Sequence, residues 1–132
     1  MKKQDLPLSP HLQIYKPQIT SLLSISHRIS GVALNFVLVM LVLGLLCITL
    51  GESYFELLIS LITFFPTKII IFLAILGFSY HFLNGIRHII WDFGFLLGNR
   101  SSAIFGYIII ATSFISSIFI SKLLGLFWWI LL

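Results

Sequence analysis

The stretch LLSISHRISGVALNFVLVMLVLGLLCITL, residues 22–50, decides the fold. Its polar side chains come early: Ser24, Ser26, His27, Arg28, Ser30 and Asn35. Beyond Asn35 the run is almost wholly apolar. About 20 helical residues cross the hydrocarbon core of a bilayer, so the run is long enough to span, and Gly51-Glu52-Ser53 closes it. Two similar runs follow. One starts at Thr67-Lys68 and continues to about residue 90, and the other covers about 103–124. The pattern predicts an all-α protein with three transmembrane helices, folded as a single domain over residues 1–132.

The segments between the spans are shorter and more polar. Residues 52–66, with Glu52 and Glu56, end at Pro66 and read as a loop or a short interfacial helix. Asp92 to Ser102, with Gly94, Gly98, Asn99 and Arg100, reads as a loop. Residues 1–20 are punctuated by Pro7, Pro10 and Pro17 and are expected to form an extended arm at the membrane surface. The tail after Leu124 is too short to cross again, and Trp128 and Trp129 suit the interfacial aromatic belt.

Composition agrees. Of 132 residues, 59% are hydrophobic and 9% charged, and the mean hydropathy is +1.12. A soluble domain of this size needs far more charge to cover its surface. Eight Lys and Arg stand against four acids, a net charge of +4. No dense basic run or RNA- or DNA-binding motif occurs, so no nucleic-acid partner is expected. The basic residues report orientation instead. Lys2, Lys3, Lys16, Arg28, Arg87 and Arg100 fall on the side of the N-terminus, and only Lys68 and Lys122 on the other. That bias places the N-terminus on the cytoplasmic side, or the matrix side of a mitochondrion. Cys47 is the single cysteine, so no internal disulfide and no covalent haem attachment are expected. The N-terminus has neither a secretory h-region nor an Arg-rich presequence pattern, and insertion without processing is expected.

Ionisable groups inside spans are costly and mark function. Ser24, His27, Arg28 and Gly31 share one helical face, which Asn35 continues. His81, Gly85, His88 and Asp92 share another, while Arg87 is expected to point elsewhere, toward lipid headgroups or another chain. Both clusters lie near one membrane face. His81 lies seven residues deeper than His88, roughly 10 Å at 1.5 Å per residue. An imidazole at that depth needs a metal, a hydrogen bond to another helix, or a water cavity. Haem b fits His81, because its iron takes a neutral imidazole and the macrocycle is mostly apolar. Gly85 leaves room for the porphyrin edge, and His27, Arg28 and His88 are placed to meet the propionates. His81 and His88 share a helix face and cannot both ligate one iron. His11 and His27 do not match the depth of His81, so the second ligand is expected from another subunit. Spacing alone leaves plainer readings open. An intramembrane His also serves as a helix–helix hydrogen-bonding residue, His27-Arg28 as an interfacial anchor, Gly85 as a packing glycine, and Ser24 as a hydroxyl bonded to its own backbone.

At these residues the chain resembles the cytochrome b membrane-anchor subunit family of succinate dehydrogenase, respiratory complex II, in its mitochondrial and alphaproteobacterial branch. Pro7-Leu8-Ser9-Pro10-His11-Leu12-Gln13-Ile14-Tyr15, Ser24-x-x-His27-Arg28-x-Ser30-Gly31 and His81-x-x-Asn84-Gly85-Ile86-Arg87-His88-x-x-Trp91-Asp92 carry the resemblance. It implies a helical bundle completed by a second membrane subunit, with an iron–sulfur subunit docked on it and a flavoprotein subunit beyond. It implies His81 as an axial ligand of haem b, with the sister membrane subunit supplying the other. It implies Ser24 and Arg28 in a ubiquinone pocket, His27 and Arg28 near the haem propionates, and Asp92 as an acid beside the same pocket. A quinone takes two electrons and two protons. Ser24 suits a ring carbonyl oxygen, Arg28 suits the negative charge that develops there, and Asp92 or His27 suits proton relay. The expected locations are a mitochondrial inner membrane, with the subunit encoded in the organelle, or a bacterial inner membrane. The alternatives are a haem-free structural anchor of the same dehydrogenase and a small transporter using His81 and Asp92. The transporter needs a polar path through the outer half of the spans, which reads as almost entirely apolar.

Overall fold

The structure, a computed structural model, describes residues 18–126. The N-terminal arm with Pro7, Pro10, His11 and Lys16, and the tail with Trp128 and Trp129, lie outside the described residues. Four helices follow one another: α1 (Ile19–Thr49), α2 (Glu52–Thr63), α3 (Phe65–Asp92) and α4 (Asn99–Leu123). Of these, α1, α3 and α4 are long and apolar enough to cross a membrane. The 31 residues of α1 measure about 46 Å at 1.5 Å per residue, longer than the roughly 30 Å hydrocarbon core. The α1 helix therefore tilts or projects beyond the core.

The ends of the helices show local sequence at work. Gly51 joins α1 to α2 at φ 115°, a conformation that favours glycine. The α2 segment is a 12-residue helix with Glu52 in its first turn, where a carboxylate suits the helix dipole. It has no buried residue and packs against α1 and α3. Pro66, expected to close the segment before the second span, instead opens α3. A proline in the first turn sacrifices no helical hydrogen bond, because that N–H has no partner there in any case. The loop before α4 is shorter than expected, with Gly94 at φ 81° turning the chain. Asn99 to Ser102 already belong to α4, and Ser101 Oγ donates to the Gly98 carbonyl at 2.8 Å.

The α3 helix is central and packs against α1, α2 and α4. What it buries is mostly polar. Leu23 and Ile109 are the buried hydrophobic residues among those described, whereas Ser79, Asn84, Arg87, Ser102, Ser113, Ser117 and Ser121 are buried polar ones. In lipid there is little hydrophobic drive between helices, and close packing of small residues takes its place. The α4 helix turns Ser102, Gly106, Ile109, Ser113, Ser117 and Ser121 inward, spaced by threes and fours. The outer half of the spans is therefore less apolar than its sequence reads. Two of its hydroxyls are tied to their own helix, Ser113 Oγ donating to the Ile109 carbonyl at 2.7 Å and Ser117 Oγ to the Ser113 carbonyl at 2.5 Å, while Ser121 Oγ has no partner among the described residues. They form no chain of ionisable groups across the membrane.

Candidate functional site

The α1 and α3 helices meet through their imidazoles. The His27 ring stacks on the His81 ring with centroids 4.0 Å apart and planes 14° apart. His88, two turns along α3, lies 5.1 Å from His27 on its other flank. The three rings form a column with His27 in the middle. Gly31 makes this possible, and Gly85 borders the column at ordinary contact distance. A Cβ on Gly31 would meet His81 Cε1 at 2.9 Å, tighter than real contacts allow, and a Cβ on Gly85 would face His27 Nε2 at 3.9 Å. The hollow at Gly85, expected beside a porphyrin edge, thus receives the His27 ring. His27 also stands at the level of His81, contrary to the depth read from sequence. The cause is that α1 begins at Ile19, so His27 sits two turns inside the helix.

Hydrogen bonds fix the His81 tautomer. His81 Nδ1 lies 3.1 Å from the His27 carbonyl oxygen and 3.1 Å from Ser30 Oγ. A carbonyl only accepts, so Nδ1 carries the proton. Nε2 is then the atom with the lone pair, and it has no hydrogen-bond partner among the described residues. That is the state in which a histidine ligates a metal: Nδ1–H on a backbone carbonyl and Nε2 bare. His27 Nε2 donates to the His81 carbonyl at 3.2 Å, so each imidazole is anchored by the other's backbone. Tyr80 adds a clamp one residue away, its hydroxyl donating to the Leu23 carbonyl at 2.7 Å.

His27 and His81 thus lie side by side with ring planes 14° apart, and His11 lies outside the described residues.

The sequence-predicted polar stripe on α1 divides. His27, Ser30 and Gly31 turn to α3, Ser24 is half-buried, and Arg28 is exposed. Neither Ser24 nor Arg28 has a side-chain partner among the described residues. Asp92, the last residue of α3, is exposed and forms no ion pair with a described residue. A cleft of about 550 Å³ between α1, α3 and α4, lined by Leu22, Leu23, Ser26, Gly77 and Tyr80 among others, includes none of the three imidazoles.

Arg87 is the largest correction. Expected at the headgroups or against another chain, it is completely buried between α3 and α4. Its guanidinium donates to Asn84 Oδ1 at 3.3 Å, to the Ser102 carbonyl at 3.1 Å and to Ser102 Oγ at 2.9 Å. Its Cζ stands 4.1 Å from the centre of the Trp91 ring. Gly106 beside it makes room for Leu23 of α1, since a Cβ there would overlap Leu23 Cδ1 while only touching an Arg87 terminal nitrogen at 3.9 Å. Ser30 was legible in the sequence, one turn from His27. Ser102 was not, because it reads as part of a loop.

Residues 2–120 match the model of the family described as succinate dehydrogenase/fumarate reductase transmembrane subunit. The chain is 41% identical to the succinate dehydrogenase cytochrome b556 subunit of Rickettsia typhi, over 81% of this chain and 83% of that one. It is 43% identical to the cytochrome b560 subunit of the same enzyme from Chondrus crispus, over 73% and 78%. A third relative, the b560 subunit of Reclinomonas americana, is 37% identical over 83% and 79%.

Proposed function

The chain belongs to the succinate dehydrogenase/fumarate reductase transmembrane subunit family, and on that premise we propose that it holds haem b through His81 and forms part of a ubiquinone-reduction site with Ser24 and Arg28. It is a multipass inner-membrane cytochrome b subunit of succinate dehydrogenase, an oxidoreductase complex. The observation that carries the haem reading is the His81 tautomer, with Nδ1 on the His27 carbonyl and Nε2 bare. Haem b, when bound, supplies a one-electron redox centre. His81 Nε2 would hold the iron, and a sister membrane subunit would supply the other ligand. His27, Arg28 and His88 stand on the side from which propionates are neutralised. Arg28, exposed and without a side-chain partner among the described residues, is a fixed cation for a quinone oxygen as negative charge develops on it. Ser24 Oγ, one turn earlier, donates to a ring carbonyl. Asp92, at the exposed end of α3, takes protons from water for the quinol, with His27 as the inner relay. Electrons reach this face from an iron–sulfur subunit, itself fed by a flavoprotein. The N-terminus lies on that same side, matrix or cytoplasmic, and the membrane is that of a mitochondrion or a bacterium.

One observation favours a second reading. His27 packs on Gly85 and bonds the His81 backbone, and His81 Nδ1 bonds the His27 backbone, contacts that tie α1 to α3 in a haem-free anchor as well. One set of measurements on the purified complex separates the two. His81→Ala is expected to abolish the b-type absorbance and the pyridine haemochrome while part of the complex still assembles. Arg28→Ala is expected to lower succinate:quinone activity at least tenfold, with succinate oxidation by a soluble acceptor retained. An unchanged spectrum in His81→Ala refutes the ligand assignment, and equal survival of both activities in Arg28→Ala moves the quinone site elsewhere.

A further inference from the structure

We propose that Arg87 and Trp91 are positioning residues for the imidazole column and set the environment of His81 through His88 and His27; this rests on the haem reading above. The starting point is a buried cation without a counter-ion among the described residues. Arg87 has 0% exposure in the chain by itself, so neither lipid nor a neighbouring subunit reaches it. It is permanently charged, yet its acceptors are all neutral: Asn84 Oδ1 and the carbonyl and hydroxyl of Ser102. Its Nε has no partner among the described residues. A residue needed only to fill space between α3 and α4 does so better as a hydrophobe, since buried ionic groups are commonly replaced by apolar ones without loss of stability. A retained charge points to a use.

The contacts show where the charge acts. The guanidinium lies over Trp91, Cζ 4.1 Å from the ring centre. Trp91 Nε1 is buried with no hydrogen-bond partner among the described residues, so no bond of its own orients that ring. Its orientation comes from what packs on it, and a cation on an aromatic face is a directional contact. Trp91 meets His88 at 89°, with centroids 5.1 Å apart. His88 lies 5.1 Å from His27, and His27 4.0 Å from His81. An unbroken series of contacts thus runs from Ser102, at the start of α4, to His81, on the opposite face of α3. Holding Trp91 still keeps His88 against His27, and His27 in turn fixes the tautomer and tilt of His81 through its carbonyl.

The test uses the assembled complex, with the EPR gmax of the ferric haem, the reduced α-band and the haem-to-flavin ratio as readouts. Trp91→Leu and Arg87→Lys are expected to shift gmax and broaden the α-band at near-normal haem content. Trp91→Phe keeps a ring under the guanidinium and is expected to leave both signals as in the wild type. The Trp91→Leu/Arg87→Lys double variant is expected to show no larger shift than the larger single one, because both act along one path. Ser102→Ala removes one acceptor of Arg87 without touching an imidazole. Its expected effect is a smaller shift in the same direction, and it serves as the test if the larger changes prevent assembly. Unchanged spectra in Trp91→Leu, Arg87→Lys and Ser102→Ala, or additive shifts in the double variant, overturn the proposal. His81→Ala keeps the two failures apart. If it retains the b-type signal, the haem reading falls. If it loses the signal while the other variants stay silent, only the positioning role falls.

Discussion

Two glycines on α1 and α3 differ in what a single methyl group would do. At Gly31 an added Cβ lies 2.9 Å from His81 Cε1, whereas at Gly77 nothing stands within 4 Å. His81 cannot swing aside freely, because Nδ1 is held by the His27 carbonyl and Ser30. Overpacking of this kind costs about 1–3 kcal/mol. Gly31→Ala is therefore expected to reduce haem retention at least twofold in a pyridine haemochrome assay, and Gly77→Ala to leave it unchanged. Equal haem content in the two variants would show that the His81 ring is not confined by α1. The same residues mark what was legible beforehand. The spacing of Ser24, His27, Arg28 and Gly31 announced a site, but spacing on one helix does not say how far that helix extends beyond its apolar run. The depth of His27 was misjudged for that reason. Arg87 was misplaced because its partner Ser102 and its neighbour Gly106 lie on another helix and carry no charge or period to advertise them.

At the scale of elements, hydrophobic runs were enough to predict three spans, since a bilayer demands length and apolarity of each. They say little about which face turns inward. In water the apolar stripe is buried; here α4 buries serines and a glycine and leaves Ile108, Ile115 and Ile118 exposed. The third span thus carried its packing information in its least conspicuous residues. Ser117 is 0% exposed and Ile118, its neighbour, 60%. Ser117→Leu forces a branched side chain into the packed inward face of α4, a penalty of about 1–3 kcal/mol, while Ile118→Leu changes only a side chain exposed on this chain. The expected result is a clear fall in the Tm of the detergent-solubilised complex for Ser117→Leu and a shift within error for Ile118→Leu. A larger fall for Ile118→Leu would mean that the inward face of α4 is the other one.

At the scale of the whole molecule, three crossings and the α1–α3 imidazole contact together fix which ends share a side. The start of α1 and the 93–98 loop lie on one face of the membrane, and α2 and the end of α4 on the other. The first face carries Arg28, Arg87 and Arg100, the second Lys68 and Lys122, and a Lys/Arg excess faces the cytoplasm or matrix. On the proposed function, Ser24, Arg28 and Asp92 belong to the face that receives electrons from a soluble subunit. It is tested in a Cys47→Ser background with single cysteines at two exposed positions, Ser53→Cys before α2 and Phe95→Cys in the loop. A membrane-impermeant maleimide is expected to label Ser53→Cys in intact spheroplasts or mitoplasts and to leave Phe95→Cys untouched. In inverted vesicles the pattern is expected to reverse, and, on the proposed docking of soluble subunits at that face, labelling of Phe95→Cys is expected to rise further once they are stripped from the surface. Labelling of Phe95→Cys from the outside of intact membranes would invert the topology. Labelling indifferent to stripping would keep the topology and move the docking surface away from the 93–98 loop.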